Sequence, residues 1–150
     1  MDLEVLLARA AVPNEEDVVI ALHPPRWDFT LNRGTKSIFE KPNTSVSRLA
    51  ISPLDEILAC FKRTIQGGNV DLKGYGTIKV EKIKAIGAAA TNPIDFEVTI
   101  DPVKPSTEDP IGNPAHAELI PFSSGRKEIK ARVSDGVCKS LATALDVTQL

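Results

Sequence analysis

The period of the apolar residues changes twice along this chain, and that change constrains the fold more than any other feature. Before Gly67-Gly68, Leu54, Ile57, Leu58, Phe61 and Ile65 recur at spacings of three and four, one apolar face of an amphipathic helix. Ser52 as cap, Pro53 at the first helical position and Asp55 in the first turn start this helix, and the glycine pair stops it. Beyond the glycines the period falls to two. Ile78 and Val80 alternate with polar residues in a strand extending toward Ile86 through a bulge. Phe96, Val98 and Ile100 form a second such run, and Ala115, Ala117 and Leu119 a third. After the Ser123-Ser124-Gly125 turn, Ile129, Val133, Val137, Leu141 and Leu145 recur every four residues, predicting a helix over 126–145. Gly136 in its middle suggests close backbone approach there. The pattern predicts an α+β fold. It comprises a three- to four-stranded, mainly antiparallel sheet with a C-terminal amphipathic helix and a second, mid-chain helix packed on it. Leu3–Val12 reads equally as helix or strand, Val18–Leu22 is a short apolar run, and 26–44 is irregular. The proline-rich link 101–114 is too long for a hairpin and reads as an exposed or functional loop.

With 150 residues, 42% of them hydrophobic and 25% charged, the chain is expected to form a single domain, 1–150, rather than a disordered segment. A net charge of −2 argues against nucleic acid as a partner. Local bias exists nonetheless. The segment from His23 to Arg48 carries Arg26, Arg33, Lys36, Lys41 and Arg48 against Asp28 and Glu40. Asp95, Glu97, Asp101, Glu108, Asp109 and Glu118 stand against Lys104 alone in the stretch from Asp95 to Glu118. Such a dipolar surface could steer a partner, although a mixed solvated surface is the plainer reading. Cys60 and Cys138 make no disulfide framework or Cys-x-x-Cys motif, and both read as small buried hydrophobes. The N-terminus lacks the pattern of an export signal and no apolar stretch is long enough to span a membrane, so the expected compartment is the cytoplasm.

Phosphate-binding glycine loops, the Gly-x-Ser-x-Gly elbow and His-Glu-x-x-His are all missing, and with two histidines the sequence predicts no metal and no cofactor. The best chemical pair is His116 with Glu118. Two positions apart on a strand, they share one side, where a carboxylate can fix the imidazole's tautomer for binding or acid–base work. The plainer alternative is the polar outer face of a strand. Arg26, Arg33 and Arg48 accompany Ser37, Ser45 and Ser47, a set suited to an anionic small molecule or acidic peptide. Their alternative role is to turn the chain and pair with Asp28 and Glu40. The candidate ligand-binding residues are therefore Arg26, Arg33, Ser45, Arg48, His116 and Glu118, with no catalytic residue assigned. Trp27 reads as a core or loop anchor rather than a stacking platform.

Several fragments occur in a suggestive order: His23 with Trp27, Ser37-Ile38-Phe39, Ser45-Val46-Ser47-Arg48, Asn113-Pro114-Ala115-His116-Ala117-Glu118-Leu119, and Leu141-Ala142 with Ala144. This order resembles a loose group of small uncharacterised bacterial proteins with an N-terminal Arg/Ser/Phe segment and a C-terminal Asn-Pro-Ala-His-Ala segment. The middle and the proline loop are longer here than in that group. The resemblance implies a bacterial origin and carries no catalytic residues over. From the residues, the expected function is a small non-catalytic accessory or interaction module that binds a protein partner or a small anionic ligand. The alternative is a small toxin-like or transferase-like enzyme using the Arg/Ser segment with His116 and Glu118. Convergence of the candidate residues on one pocket would favour a ligand binder or an enzyme, and their dispersal would favour partner docking. Oligomeric state is not legible.

Overall fold

A computed structural model of the chain describes residues 10–28, 30–31 and 33–150; most of the Leu3–Val12 run lies outside the described residues. The elements follow in the order β1 (Asp17–Leu22), β2 (Trp27–Asp28), β3 (Arg33–Gly34), β4 (Thr44–Arg48), α1 (Leu54–Thr64), β5 (Gly74–Lys79), α2 (Val80–Ala88), β6 (Ile94–Ile100), β7 (His116–Ser123), α3 (Asp135–Ala144) and β8 (Asp146–Gln149). Six strands form one sheet in the order β6-β7-β4-β1-β5-β8, antiparallel at every junction, while β2 and β3 make a separate ribbon. The class is α+β, with three α-helices among the described residues.

The expected three to four strands are thus corrected to six, for identifiable reasons. β1 lies near the middle of the sheet and is buried on both faces from Val18 to Leu22, so it shows no polar alternation. β4 is short and mostly polar, and its pairing with β1 and β7 overrides weak local preference. β8 comes from the four residues just after the expected helix, where the sequence pattern predicts no strand. Leu145 turns to extended geometry (φ −63°, ψ 133°), and the chain then pairs with β5.

Two helix boundaries also move. The strand expected to continue to Ile86 ends at Lys79, and Val80–Ala88 is helical, with Val80, Ile83 and Gly87 facing inward at spacings of three and four. The last helix begins at Asp135 instead of Arg126. Arg126 takes a left-handed φ of 62°, and the following segment runs extended beside β7, with Ile129 N–H donating to the Pro121 carbonyl. Val133 is still buried, so part of the four-residue stripe is a core stripe without being helical. The close approach expected at Gly136 occurs at Gly87. A Cβ there would sit 2.4 Å from the Ile94 carbonyl oxygen, whereas one at Gly136 would meet nothing within 4 Å.

The helices divide unequally between the two faces. On one side α2, α3 and a 3-10 turn at Lys36–Ile38 cover the larger core, which includes Ile20, Leu22, Val46, Phe96, Leu119 and Leu141. Trp27 and Cys138 belong to this core, and burial pushes the Cys138 thiol up to about 11. Each such aliphatic side chain contributes roughly 1.5–3 kcal/mol on burial. On the other side α1 lays Ile57 and Phe61 onto Val19 and Ala21 of β1, forming a smaller cluster. Pro53 flanks the start of α1, where no side chain caps the helix; Asp55 and Glu56 occupy its first turn. Beyond α1, the same face of β4 and β7 carries Ser45, Ser47, His116 and Glu118. Among the described residues no helix is long and apolar enough to cross a membrane.

Candidate functional site

Where α1 leaves the sheet face uncovered, the loop between β6 and β7 folds over it and bounds a half-open cavity of about 410 Å³. Ser45, Ser47 and His116 form its polar floor. Cys60, Phe61, Thr64 and Ile65 form the α1 wall. His23 and Arg26 line it from the segment after β1, and Val103, Asp109 and Asn113 from the covering loop. The volume falls within the roughly 300–1,000 Å³ typical of small-molecule sites.

Antiparallel register builds the floor. Ser47 lies opposite His116 and Ser45 opposite Glu118, so four polar side chains share one patch of the sheet. His116 is held from both ring nitrogens. Its Nδ1 lies 2.6 Å from the Asp101 main-chain oxygen and 3.4 Å from that residue's Oδ2. A carbonyl oxygen only accepts, so Nδ1 carries the proton and donates. Nε2 then faces Ser45 Oγ at 3.2 Å and Glu118 Oε1 at 3.4 Å. Ser45 Oγ is also within 3.4 Å of Glu118 Oε1. Burial raises the Glu118 carboxyl above its ordinary value, opposed by the nearby His116. Asp101, His116 and Glu118 each bring one ligand atom to within 4.8 Å of the others, a donor set compatible with a divalent cation.

Arg26 is the cation of the cavity. It is partly buried, burial pulls its guanidinium below the ordinary value, and no carboxylate pairs with it among the described residues. Its backbone N–H donates to the His23 carbonyl, and the His23 ring contacts the Pro24 carbonyl through Nδ1 at 3.0 Å. The covering loop is pinned separately. Arg63 Nε on α1 donates to Asp109 Oδ1 at 2.8 Å, and the same guanidinium donates to the Gly112 carbonyl. That contact holds the Asp109 carboxyl below its usual range. On the far side of this latch lies a second cavity of about 340 Å³, which shares Cys60 and Asn113 with the first.

The structure therefore brings Arg26, Ser45 and His116 to one cavity, with Glu118 touching two of its floor residues. Arg33 and Arg48 lie elsewhere. Arg48 makes a bidentate, buried pair with Glu16, at 2.8 and 2.7 Å, instead of facing a ligand or pairing with Asp28 or Glu40. Arg33, on β3, lines a separate groove with Asp28, Lys36 and Lys139. Sequence reasoning missed Asp101, Thr64 and the Arg63–Asp109 latch as parts of the site. Asp101 precedes a proline in an irregular loop, and Arg63 lies 46 residues from its partner, so neither carried a local signal. Comparison with protein-family models, curated proteins and solved structures finds no match to this chain.

Proposed function

We propose that this chain binds a small organic anion, a carboxylate with an apolar body, in the cavity between α1, the sheet and the 101–115 loop. The supporting observation is Arg26. A guanidinium removed from bulk water and lacking a carboxylate partner among the described residues suits an anion arriving with the ligand. Serine and threonine hydroxyls and the Asn113 amide supply orientation, while Phe61, Ile65 and Val103 suit an apolar body. This reading favours a ligand-binding module over one that docks a protein partner.

Thermal unfolding against a panel of short aliphatic and aromatic carboxylates, with inorganic phosphate alongside, tests it. A carboxylate at 100 times its Kd stabilises the native state by about 2.7 kcal/mol. For a chain of this length that is a rise in Tm of about 5–10 °C. Arg26→Gln should lose the shift while keeping its unliganded Tm. A shift of equal size in the variant, or none with any carboxylate, overturns the proposal.

A further inference from the structure

We infer that Ser45 is a nucleophile activated by His116, and that the same cavity hydrolyses esters of small carboxylic acids. The inference rests on the anion-binding reading only for its choice of acyl group. Its geometry stands on the β4–β7 register.

Three relations carry it. Ser45 Oγ is 3.2 Å from His116 Nε2, a nucleophile–base contact. The base is oriented from behind, because Nδ1–H donates to the Asp101 main-chain oxygen at 2.6 Å and leaves Nε2 as the accepting nitrogen. Asp101 itself is fixed, since its N–H donates to the His116 carbonyl at 3.1 Å and Pro102 favours extended backbone geometry there. The orienting atom belongs to the main chain and survives any side-chain change at 101. A half-open, mostly apolar cavity adjoins the pair, and Ser45 is exposed at it. Nucleophile, base, orienter and substrate space are four of the parts an acyl-transfer site requires, the fifth being a donor to the oxyanion.

The chemistry balances with water as the second substrate. Ser45 Oγ bonds to the ester carbonyl carbon as its proton passes to Nε2. The carbon–oxygen bond to the alcohol then breaks, and the departing alkoxide takes that proton. Water, deprotonated by Nε2, attacks the acyl-serine; the proton returns to Ser45 Oγ as the carboxylic acid leaves. Arg26 lines the same cavity and would donate to the developing oxyanion and to the product carboxylate, with Asn113, whose Nδ2 also donates to Ser47 Oγ, as a second donor. Glu118 is a competing acceptor for the serine proton at 3.4 Å, a longer contact than the 3.2 Å to Nε2.

A biotinylated alkyl fluorophosphonate, which is uncharged at its reacting end and traps activated serines, tests the inference on the full chain. The expected result is one adduct, mapped to Ser45 by peptide mass spectrometry and absent in Ser45→Ala. His116→Ala should slow labelling about 100-fold or more, the usual contribution of a positioned base. His116→Gln serves as a second variant, and both must retain the cooperative melt of the parent. Failure to label Ser45 in folded protein, or an unchanged rate in folded His116 variants, refutes the nucleophile. A carboxylate-induced rise in Tm without labelling leaves a binding cavity and overturns catalysis alone. Labelling without that rise supports the nucleophile and removes the anion-binding reading.

Discussion

The Glu16–Arg48 pair allows a quantitative test of how the sheet is held together. Glu16 precedes β1 and Arg48 ends β4; two charge-assisted hydrogen bonds of 2.8 and 2.7 Å join them. Their side chains are only 12% and 11% exposed, so water screens the contact little. An exposed pair would contribute about 0–1 kcal/mol, whereas removing one member of a buried pair costs about 3–5 kcal/mol by orphaning the other charge. Glu16→Gln keeps one acceptor, which places its cost near the lower end, about 3 kcal/mol. At about 2–4 °C per kcal/mol the Tm should fall by about 6–12 °C. The double replacement Glu16→Leu with Arg48→Met removes both charges while keeping much of their volume. It should lie within about 1 kcal/mol of the parent, since buried pairs often gain little over apolar substitutes. Urea denaturation of Glu16→Leu, Arg48→Met and their double variant closes the cycle. A loss under about 1 kcal/mol for Glu16→Gln, or a double variant as unstable as the single, would refute the argument that desolvation controls this contact.

Gly136→Ala should stabilise by about 0.4–1 kcal/mol in denaturation, because its φ is not positive, the new methyl in the first turn of α3 meets open space, and the unfolded chain loses freedom. Gly87→Ala should destabilise in the same assay, as its methyl would press on the Ile94 main chain and the Phe96 ring. Glu118 has a raised carboxyl value in the fold, so the folded state holds the proton more firmly than the unfolded one. Its contribution therefore falls as pH rises through and above the ordinary 4.5, and Glu118→Gln should raise the Tm at neutral pH and gain nothing at pH 3. Asp109 has the opposite sign. The Arg63 contact is present above the ordinary carboxyl value of 3.8 and is lost as pH falls below it, so Asp109→Asn should release loop amides seen by NMR at neutral pH, as strong acid does in the parent.

Much of the architecture was legible where one face of an element meets solvent. α1, β6 and β7 each show a single clear period because each has a wet side. β1 has none, and its apolar run concealed a strand at the heart of the sheet. The stripe from Ile129 to Leu145 misled because Val133 and Leu145 are buried from extended segments flanking a shorter helix. For the site, strand alternation alone placed His116 and Glu118 on one side. Charge bias did not identify which arginine faces the cavity. Arg26 and Arg48 both stand in the basic segment, and only the long-range placement of Glu16 separates a structural arginine from one with no carboxylate partner among the described residues. Asp101 reaches His116 through a main-chain oxygen, an interaction no side-chain motif can announce.

The connectivity of the six-stranded sheet also bears on how fast it can form. Asp17 pairs with Lys79 and Thr44 with Leu119, while the nearest neighbours in sequence, β6 and β7, are separated by the whole proline loop. No pair of adjacent strands in this sheet is a tight hairpin, so every ladder must close a long loop before its hydrogen bonds offset the lost chain entropy. Folding times of milliseconds to seconds, the range of sheet-rich domains rather than helical bundles, are the kinetic consequence.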